Sequence, residues 1–283
     1  MVVFPNCKIN IGLHILGKRE DGFHNLETVF IPVPLHDSLE IIRSRDNGAG
    51  VIFSQTGFVV DGNASDNICV KAYRLLKSDF PQLPAVQMHL HKAIPLGAGL
   101  GGGSADGAFA LKLLNDKFNL GLSTGQLIEY ALALGSDCPF FIINKPCFAT
   151  GRGEAMQPLN ISLACYHLLL VNPAIHINTG WAFAHSDSYR KQSGPDGNRA
   201  SKNLLQHIQQ PVQLWRQNIG NDFEPAIFSA YPVLQQAKET LYAHGAAYAA
   251  MSGSGSTMYG LFEKMPQVSP RFPAGWFVKQ LAL

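Results

Sequence analysis

The sequence predicts a protein of mixed helices and strands, and three observations carry that prediction. Residues 7–16 alternate apolar and polar side chains, which is the pattern of a half-buried strand. The same alternation returns at residues 86–91, and apolar residues recur at helical spacing between residues 107 and 118. Residues 95–105 join that strand to that helix and contain five glycines. The chain of 283 residues is long enough for one large domain or two ordinary ones.

The other predicted elements follow the same two periodicities. A charged turn at 18–22 leads to a strand at 26–33, so the first strand is expected to form a hairpin. Further strands are predicted at 39–43, 51–55, 140–143, 167–171, 246–251 and 257–262. Helices are predicted at 67–80, at 123–134 behind a capping box of Ser123 and Gln126, from 177 through 183, and at 233–243. Turns are expected at Asn47-Gly48, Asp61-Gly62 and 150–154, and a mobile polar loop at 188–202.

The glycine-rich segment at 95–105 has the physical properties of an anion site. N–H groups at a helix start lack partners within the helix and carry partial positive charge. Glycine lets the backbone approach a phosphate without a Cβ atom in the way. We expect Ser104 to cap the helix and Asp106 to lie in its first turn. We therefore interpret the segment as the phosphate cradle of a nucleotide site.

Two common phosphate motifs do not describe this segment. Gly97, Gly99 and Gly102 satisfy G-x-G-x-x-G, but no acidic residue closes a second strand about 20 residues later. The Walker pattern fails because no Lys-Ser or Lys-Thr follows the glycines. The alternative to a phosphate site is a flexible loop or a tight turn, although linkers seldom lie between a strand and a helix.

Composition and charge exclude several classes of protein. A net charge of +2 and the lack of a long basic run argue against nucleic-acid binding. No stretch of about 18 apolar residues occurs, so no membrane span is expected. The first residues lack a long apolar core, so no signal peptide is expected. The five scattered cysteines form no C-x-x-C and fit reduced thiols, which predicts a cytoplasmic protein.

Several polar residues are candidates for function, and each has an ordinary structural alternative. Lys8 and Asn10 share the polar face of the first strand, where a solvated outer face would also explain them. Asp137 follows a predicted helix end, where most aspartates form turns. Phe23 and His24 follow the first turn, where packing and a surface histidine are the alternative. The glycine-serine loop at 252–256 either is a hairpin turn or approaches the same nucleotide as the first loop.

Three motifs, taken in order, resemble the GHMP kinase superfamily. They are P-N-C-K-I-N-I near the start, P-L-G-A-G-L-G-G-G-S-A-D in the middle and M-S-G-S-G-S-T near the end. A narrower resemblance rests on G-K-R-E-D-G-F-H-N-L, L-G-S-D-C-P-F-F, T-G-R-G-E and N-D-F-E. It is to the members that transfer the γ-phosphate of ATP to the 2-hydroxyl of 4-diphosphocytidyl-2-C-methyl-D-erythritol, a step of the non-mevalonate route to isoprenoid precursors.

The resemblance implies an α+β fold of two domains. Residues 1–155 would be a ribosomal-protein-S5-like N-terminal domain that holds the ATP loop and the catalytic pair. Residues 156–283 would be a ferredoxin-like C-terminal domain. From the residues alone, we expect the boundary near residues 155–165. The partner would be a small molecule rather than nucleic acid or a membrane, and the protein would be a monomer or a homodimer.

The resemblance also implies roles for particular residues. Lys8 and Asp137 match the catalytic pair, and Asn10 matches a position that contacts substrate. Phe23 and His24 match the pair that holds the cytosine by stacking and by hydrogen bonds, and Thr179 and Phe183 match further positions that line the substrate. ATP would lie along Pro95, Leu96, Gly97, Ala98, Gly99, Leu100, Gly101, Gly102, Gly103, Ser104 and Ala105. Mg²⁺ is implied with ATP, and Ser104 is a candidate ligand.

Four residues depart from the family pattern. Cys7 replaces a usual alanine, Phe23 a usual tyrosine, and Ala105 and Gly107 replace a usual serine and alanine.

Two other functions stay open. Another superfamily kinase, such as a mevalonate or homoserine kinase, is the rival among enzymes. A relative that binds nucleotide without turnover is the rival of another class, although it would be expected to lack the lysine–aspartate pair.

Overall fold

A computed structural model of the chain describes residues 1–45, 50–59, 62–193, 203–265 and 270–283. The strands are β1 (Val2–Val3), β2 (Asn6–Lys18), β3 (His24–His36), β4 (Ser38–Arg43), β5 (Val51–Gly57), β6 (Val86–Lys92), β7 (Cys147–Thr150), β8 (Ala155–Pro158), β9 (His167–Asn172), β10 (Tyr248–Met251), β11 (Met258–Phe262) and β12 (Phe277–Ala282). The helices are α1 (Ile68–Asp79), α2 (Gly102–Phe118), α3 (Thr124–Leu134), α4 (Cys138–Ile143), α5 (Thr179–Ser193), α6 (Leu204–His207), α7 (Trp215–Asn218), α8 (Glu224–Ala230) and α9 (Pro232–Ala243).

Contacts divide the chain into two compact units, and neither unit is one continuous segment. The first unit comprises Met1–Lys8, Leu35–Leu96 and Gly101–Lys145. The second comprises Ile9–Pro34, Gly97–Leu100 and Pro146–Leu283. The chain therefore passes between the units five times. The division into domains at residue 155 stays a prediction.

The first unit packs helices α1 to α4 with a four-stranded sheet of order β1-β4-β6-β5. β4 runs antiparallel to β1 and β6, whereas β5 runs parallel to β6. Leu39 of β4 lies opposite Leu90 of β6, and both side chains are buried. Apolar residues of α2, including Leu111 and Leu114, are also buried in this unit.

Sequence signals at the helix ends of this unit predict the structure well. Asn67 caps α1 by accepting a hydrogen bond from the Cys69 N–H at 2.9 Å, and the helix ends before Pro81. Ser123 and Gln126 form the predicted capping box at the start of α3, and Gly135 follows its last residue. The predicted helices at 67–80 and 123–134 are therefore confirmed.

The apolar run at 140–143 is helical, so the predicted strand there is wrong. It belongs to α4, in which Pro139 occupies the first turn. Phe140, Phe141 and Ile142 are all buried, and burial on every side removes the alternation that separates a helix from a strand. The proline fits because a first-turn N–H has no partner within the helix.

The second unit contains an antiparallel sheet of order β10-β11-β9-β12 that packs with helices α7 and α9. Its core includes Leu169 and Val171 of β9, Met258 of β11, and Leu234 and Leu241 of α9. The strands predicted at 167–171, 246–251 and 257–262 and the helix at 233–243 are confirmed within two residues at each end.

A further sheet has the order β2-β3-β7-β8, and most of it belongs to the second unit. β2 and β3 are neighbours of 13 residues each, as the predicted hairpin requires. The polar face of β2 is not solvated at Lys8 and Asn10, because both residues are buried, as is Ile9 between them. The predicted turn at 150–154 joins β7 to β8.

The mobile loop predicted at 188–202 is wrong in its first part. α5 continues to Ser193, so residues 188–193 are helical. The rest of that prediction, like the turn at Asn47-Gly48 and Asp61 of the next turn, lies outside the described residues. Among the helices that the structure describes, none is long and apolar enough to cross a membrane.

All five cysteines are free thiols, and their exposure differs sharply. Cys7, Cys69, Cys138 and Cys147 are buried, whereas Cys165 is exposed. Burial raises the pKa of the Cys7 and Cys138 thiols to about 12 and that of Cys147 to about 11.

Candidate active site

A lysine and a carboxylate from separate segments of the first unit lie side by side. Lys8 is near the start of β2, and Asp137 precedes α4. The Lys8 Nζ is 3.6 Å from Asp137 Oδ2, and their side chains are 5% and 36% exposed. Burial lowers the pKa of the Lys8 ammonium, while the Asp137 carboxylate opposes that shift. The pair thus combines a buried cation with a carboxylate that reaches solvent.

The glycine-rich segment turns through three left-handed residues at every second position. The backbone φ angle is 57° at Gly97, 75° at Gly99 and 68° at Gly101. The residues that alternate with these glycines, Ala98 and Leu100, are buried. Only glycine adopts such angles at no steric cost. This conformation explains the G-A-G-L-G pattern of the sequence.

Close contacts also exclude a side chain at Gly99 and crowd one at Gly101. A methyl group at Gly99 would lie 2.0 Å from the carbonyl oxygen of Ser252 in the second unit, to which Gly99 also belongs. In the first unit, a methyl group at Gly101 would lie 3.1 Å from Cε of Lys8 and 3.0 Å from the Phe141 ring. The second contact places the start of α2 directly against the lysine of the pair.

The expected cap of α2 and the expected place of Asp106 are both wrong. The helix begins at Gly102, after Gly101, so Ser104 lies inside the first turn and Asp106 lies beyond it. The Ala105 N–H donates to the Gly101 carbonyl at 2.9 Å, which closes the first helical hydrogen bond. The N–H groups of Gly102, Gly103 and Ser104 therefore have no partner within the helix. Space is open beside the exposed Gly103, as an anion at this helix start would require.

Two departures from the family pattern have a packing explanation in the first unit. Ala105 is fully buried, so its side chain faces the core. Gly107 lies where a methyl group would be 2.8 Å from Ile68 of α1, so glycine allows the two helices to approach closely.

Asn10 is held on every side within the second unit. Its amide donates to the Thr28 hydroxyl at 2.9 Å, and its N–H donates to the Ser252 hydroxyl at 3.3 Å. The Tyr259 hydroxyl donates to its carbonyl at 2.7 Å. This network fixes the side chain against the glycine-serine loop.

The glycine-serine loop at 252–256 is a hairpin loop between β10 and β11 that contacts the glycine-rich segment. The Ser252 hydroxyl donates to the Gly99 carbonyl at 2.8 Å, and the Thr257 N–H donates to the Ala98 carbonyl at 3.2 Å. Both contacts lie within the second unit. The hairpin thus supports Ala98 and Gly99 of the glycine-rich segment.

The N-D-F-E motif holds the same hairpin from its other side. The Asn221 amide donates to the carbonyls of Met251 and Gly253, each at 2.8 Å. Glu224 accepts a hydrogen bond from the Met251 N–H at 2.8 Å and forms an ion pair with Lys238. The motif therefore acts by shaping the loop, a role that the sequence alone does not reveal.

His24 and Phe183, to which the resemblance gives separate roles in the substrate site, meet in the second unit. Their rings stack with centroids 4.4 Å apart and an angle of 8° between planes. His24 Nε2 is 2.9 Å from a carboxylate oxygen of Asp187, one helical turn beyond Phe183. Asp187 was missed because it lies 163 residues from His24 in sequence.

Phe23 is 52% exposed and therefore does not pack in the core. The guanidinium of Arg152 lies 4.8 Å from the centroid of its ring. Glu154 holds Arg152 through an ion pair at 3.6 Å. The T-G-R-G-E turn thus supports the aromatic ring that the sequence singled out.

Thr179 lies at the start of α5. Its hydroxyl is 3.1 Å from the Ser254 hydroxyl of the glycine-serine loop. Thr179, Phe183 and Asp187 recur every four residues and so share one face of α5.

The first unit contains a cavity of about 200 Å³ near the start of α1. It is lined by Phe53, Ser54, Gln55, Gly62, Asn63, Ala64, Asp66 and Asn67. Ile68, the next residue, packs against Gly107 of α2. These lining residues were not predicted from the sequence, because no short motif marks them.

Two protein-family models match this chain. The model described as GHMP kinases N terminal domain matches residues 67–145, and the model described as GHMP kinases C terminal matches residues 202–269. A mevalonate kinase of Methanococcus jannaschii superposes with a TM-score of 0.70 at 10% identity, over 93% of this chain and 90% of that one, and so shares the fold. The fold is that of a GHMP kinase, which confirms the predicted α+β, two-domain class.

Relatives with higher sequence identity indicate which GHMP kinase family the chain belongs to. A Bacteroides fragilis protein named 4-diphosphocytidyl-2-C-methyl-D-erythritol kinase is 49% identical over 95% of this chain and 94% of its own length. A Cytophaga hutchinsonii protein of the same name is 43% identical over 94% of each chain. The crystal structure of a 4-(cytidine 5'-diphospho)-2C-methyl-D-erythritol kinase superposes with a TM-score of 0.73 at 28% identity, over 92% of this chain and 90% of that one. The chain belongs to the 4-diphosphocytidyl-2-C-methyl-D-erythritol kinase family.

Proposed function

We propose that this protein transfers the γ-phosphate of ATP to the 2-hydroxyl of 4-diphosphocytidyl-2-C-methyl-D-erythritol, in the non-mevalonate route to isoprenoid precursors. One observation carries the kinase chemistry. The Lys8 Nζ lies 3.6 Å from Asp137, and its Cε would lie 3.1 Å from a methyl group at Gly101, the residue just before α2. A cation, a carboxylate and a helix start are thus assembled within one unit. The choice of substrate rests on the names of the relatives.

The pair suits phosphoryl transfer, which mainly needs positioning and stabilisation of charge. Asp137 accepts or orients the proton of the substrate hydroxyl, since its carboxylate is the more exposed of the two groups. Lys8 offsets negative charge on the transferred group. Because Lys8 is buried, little water screens its charge.

ATP lies along residues 95–105 in this proposal, with its phosphates at the first N–H groups of α2. The cavity beside Asn67 suits the base, because α1 begins there and packs on α2 through Ile68 and Gly107. An apolar wall with amide groups around it can stack a purine and hydrogen-bond its edge.

Mg²⁺ accompanies ATP in this chemistry and neutralises phosphate charge. The described residues contain no group of three or more His, Cys, Asp or Glu that could hold a metal. This donor set fits an ion held mostly by nucleotide oxygens and water, as is common for Mg²⁺ with nucleotides. The Ser104 hydroxyl in the first turn of α2 is the candidate protein ligand.

The cytidine end of the substrate lies at Phe23 and His24 in this proposal. The exposed Phe23 ring offers a face for stacking, and Arg152 covers part of that ring. Asp187 accepts a hydrogen bond from His24 Nε2, which leaves Nδ1 as an acceptor for the amino group of cytosine. Phe183 fixes the plane of the imidazole by stacking. Asn10 and Thr179 contact the rest of the substrate.

The first experiment measures ADP release with ATP, Mg²⁺ and 4-diphosphocytidyl-2-C-methyl-D-erythritol. We expect release that depends on this substrate and that Lys8→Ala abolishes. Mevalonate and homoserine, offered in its place, test the rival kinases. ATP binding without turnover on any of the three would instead support a relative that only binds nucleotide.

Removing the Phe23 ring is expected to weaken substrate binding. Phe23→Ala should raise the KM for the cytidine substrate by the equivalent of about 1–3 kcal/mol, the range for stacking of a base on an aromatic ring. The KM for ATP and kcat should change little. Phe4→Ala, which removes another exposed ring, is the control. An unchanged KM would remove Phe23 from the substrate site.

The rate is expected to fall at high pH through loss of the Lys8 charge. Burial lowers the pKa of Lys8 below its ordinary value of 10.5, so the protonated form is present below that lowered pKa and is lost as pH rises through it. A profile of kcat against pH should therefore decline before pH 10.5. Lys8→Arg, whose guanidinium stays charged, should remove the decline even if its rate is lower. The same decline in Lys8→Arg would assign the titration to another group.

A further inference from the structure

A buried lysine of the first unit bridges two carboxylates beside the glycine-rich segment. Lys92 ends β6, and its Nζ forms ion pairs with Asp37 and, at 2.7 Å, with Asp106 of α2. The three side chains are at most 3% exposed. None of them belongs to the catalytic machinery described above, so their burial needs another explanation.

The cluster touches both ends of the segment at 95–105. Asp37 accepts hydrogen bonds from the N–H groups of Ala93 and Ile94, at 2.7 and 2.9 Å, just before the segment begins. Asp106 lies on α2 just after the segment ends. A methyl group at Gly102 would lie 3.3 Å from the Lys92 Nζ, so the helix start packs directly on the ammonium.

The arrangement is a costly way to stabilise a fold. Two carboxylates face one ammonium, and the desolvation of buried ions often exceeds the attraction between them. Asp106 Oδ1 has no hydrogen-bond partner among the described residues, which leaves part of that cost uncompensated. Burial accordingly raises the pKa of the Asp106 carboxyl, and Lys92 opposes the rise. A packed apolar cluster would give comparable stability, so a role beyond stability is indicated.

We propose that Lys92, Asp37 and Asp106 are positioning residues that fix the two ends of the nucleotide loop and thereby set the affinity for ATP. The inference rests on the proposed function only in that this loop binds ATP. Charge-assisted hydrogen bonds are short and strong, so they hold the strand end and the helix start close to one separation. The first N–H groups of α2 are then oriented before the phosphates arrive, which reduces the free-energy cost of ordering them on binding.

The test measures the Kd for ATP by calorimetry and the two KM values by ADP release. Lys92→Met and Asp106→Asn should each weaken ATP binding about tenfold or more, since small displacements in a site have large effects. The KM for the cytidine substrate should stay within about twofold. Lys92→Arg, which can keep both ion pairs, should recover most of the ATP affinity. Calorimetry needs no turnover, so this result stands even if the cytidine substrate is wrong.

A control separates positioning from general loss of stability. Leu241→Ala removes a buried side chain of the second unit and should lower Tm by creating a cavity, with little change in the Kd for ATP. If Lys92→Met does not fold, Asp106→Asn decides the question, because its shape is nearly that of the native residue. Variants that lower Tm yet bind ATP as tightly as the native protein would overturn the proposal.

Discussion

Asp137→Asn is expected to lower kcat about 10²-fold or more, because an amide cannot accept the proton of the substrate hydroxyl. The protein should remain folded, since Asp137 is 36% exposed and an amide fills the same volume. Lys8 loses its carboxylate partner in this variant and stays buried. The decrease in activity should therefore affect mainly the chemical step, and the KM for ATP should change much less. Steady-state ADP release and circular dichroism of the same sample measure the two quantities.

A second aspartate of the first unit provides the control for Asp137. Asp79 accepts a hydrogen bond from the Tyr130 hydroxyl at 2.6 Å on the surface, and Asp79→Asn should leave kcat unchanged. The double variant Lys8→Ala, Asp137→Asn should be little slower than the slower single variant, because residues that act as a unit are not additive. Near-normal turnover by Asp137→Asn would exclude this carboxylate from the reaction.

Gly99→Ala is expected to disrupt the nucleotide loop. An alanine in the left-handed region costs roughly 1–2 kcal/mol, and overpacking adds about 1–3 kcal/mol. The added methyl group would lie 2.0 Å from the Ser252 carbonyl oxygen, which is backbone and cannot rotate away. The hairpin loop must move, so both the free energy of unfolding and the affinity for ATP should fall. Denaturant melts and ATP calorimetry measure the two effects.

Gly103→Ala is the matched substitution in the same segment. Gly103 lies within α2, with φ outside the left-handed region and open space where a methyl group would go. Alanine should therefore keep or raise stability, by up to about 1 kcal/mol. If phosphate occupies that open space, the affinity for ATP should still fall. A Gly103→Ala protein that binds ATP normally would place the phosphates elsewhere along the loop.

Local sequence patterns predicted where the strands and helices lie, but not which of their faces are buried by other parts of the chain. The alternation at 7–16 fixed a strand, because side-chain direction in a strand depends only on position. Whether the face with Lys8 and Asn10 meets water depends on distant segments, and here it is covered. The run at 140–143 failed for the related reason that full burial leaves no periodicity.

The site shows the same limit. Lys8, Asp137 and His24 could be selected only through a resemblance, because nothing local distinguishes them from surface residues. Asp187 and Lys92 carry no motif; the His24 partner of Asp187 lies 163 residues away in sequence, and the Asp37 partner of Lys92 lies 55 residues away. The alternate glycines at 97, 99 and 101 did carry a local signal, since G-x-G-x-G is compatible with repeated left-handed turns.

The burial of four thiols makes the fifth a selective handle for labelling. A thiol reacts as its thiolate, and the raised pKa values of Cys7, Cys138 and Cys147 keep those groups protonated and enclosed. A maleimide dye added to the native protein near neutral pH should therefore attach once, at the exposed Cys165. Mass spectrometry of the intact protein counts the attached dyes, and slow further labelling would time the openings of the core. The protein can thus carry one fluorophore without any engineered cysteine.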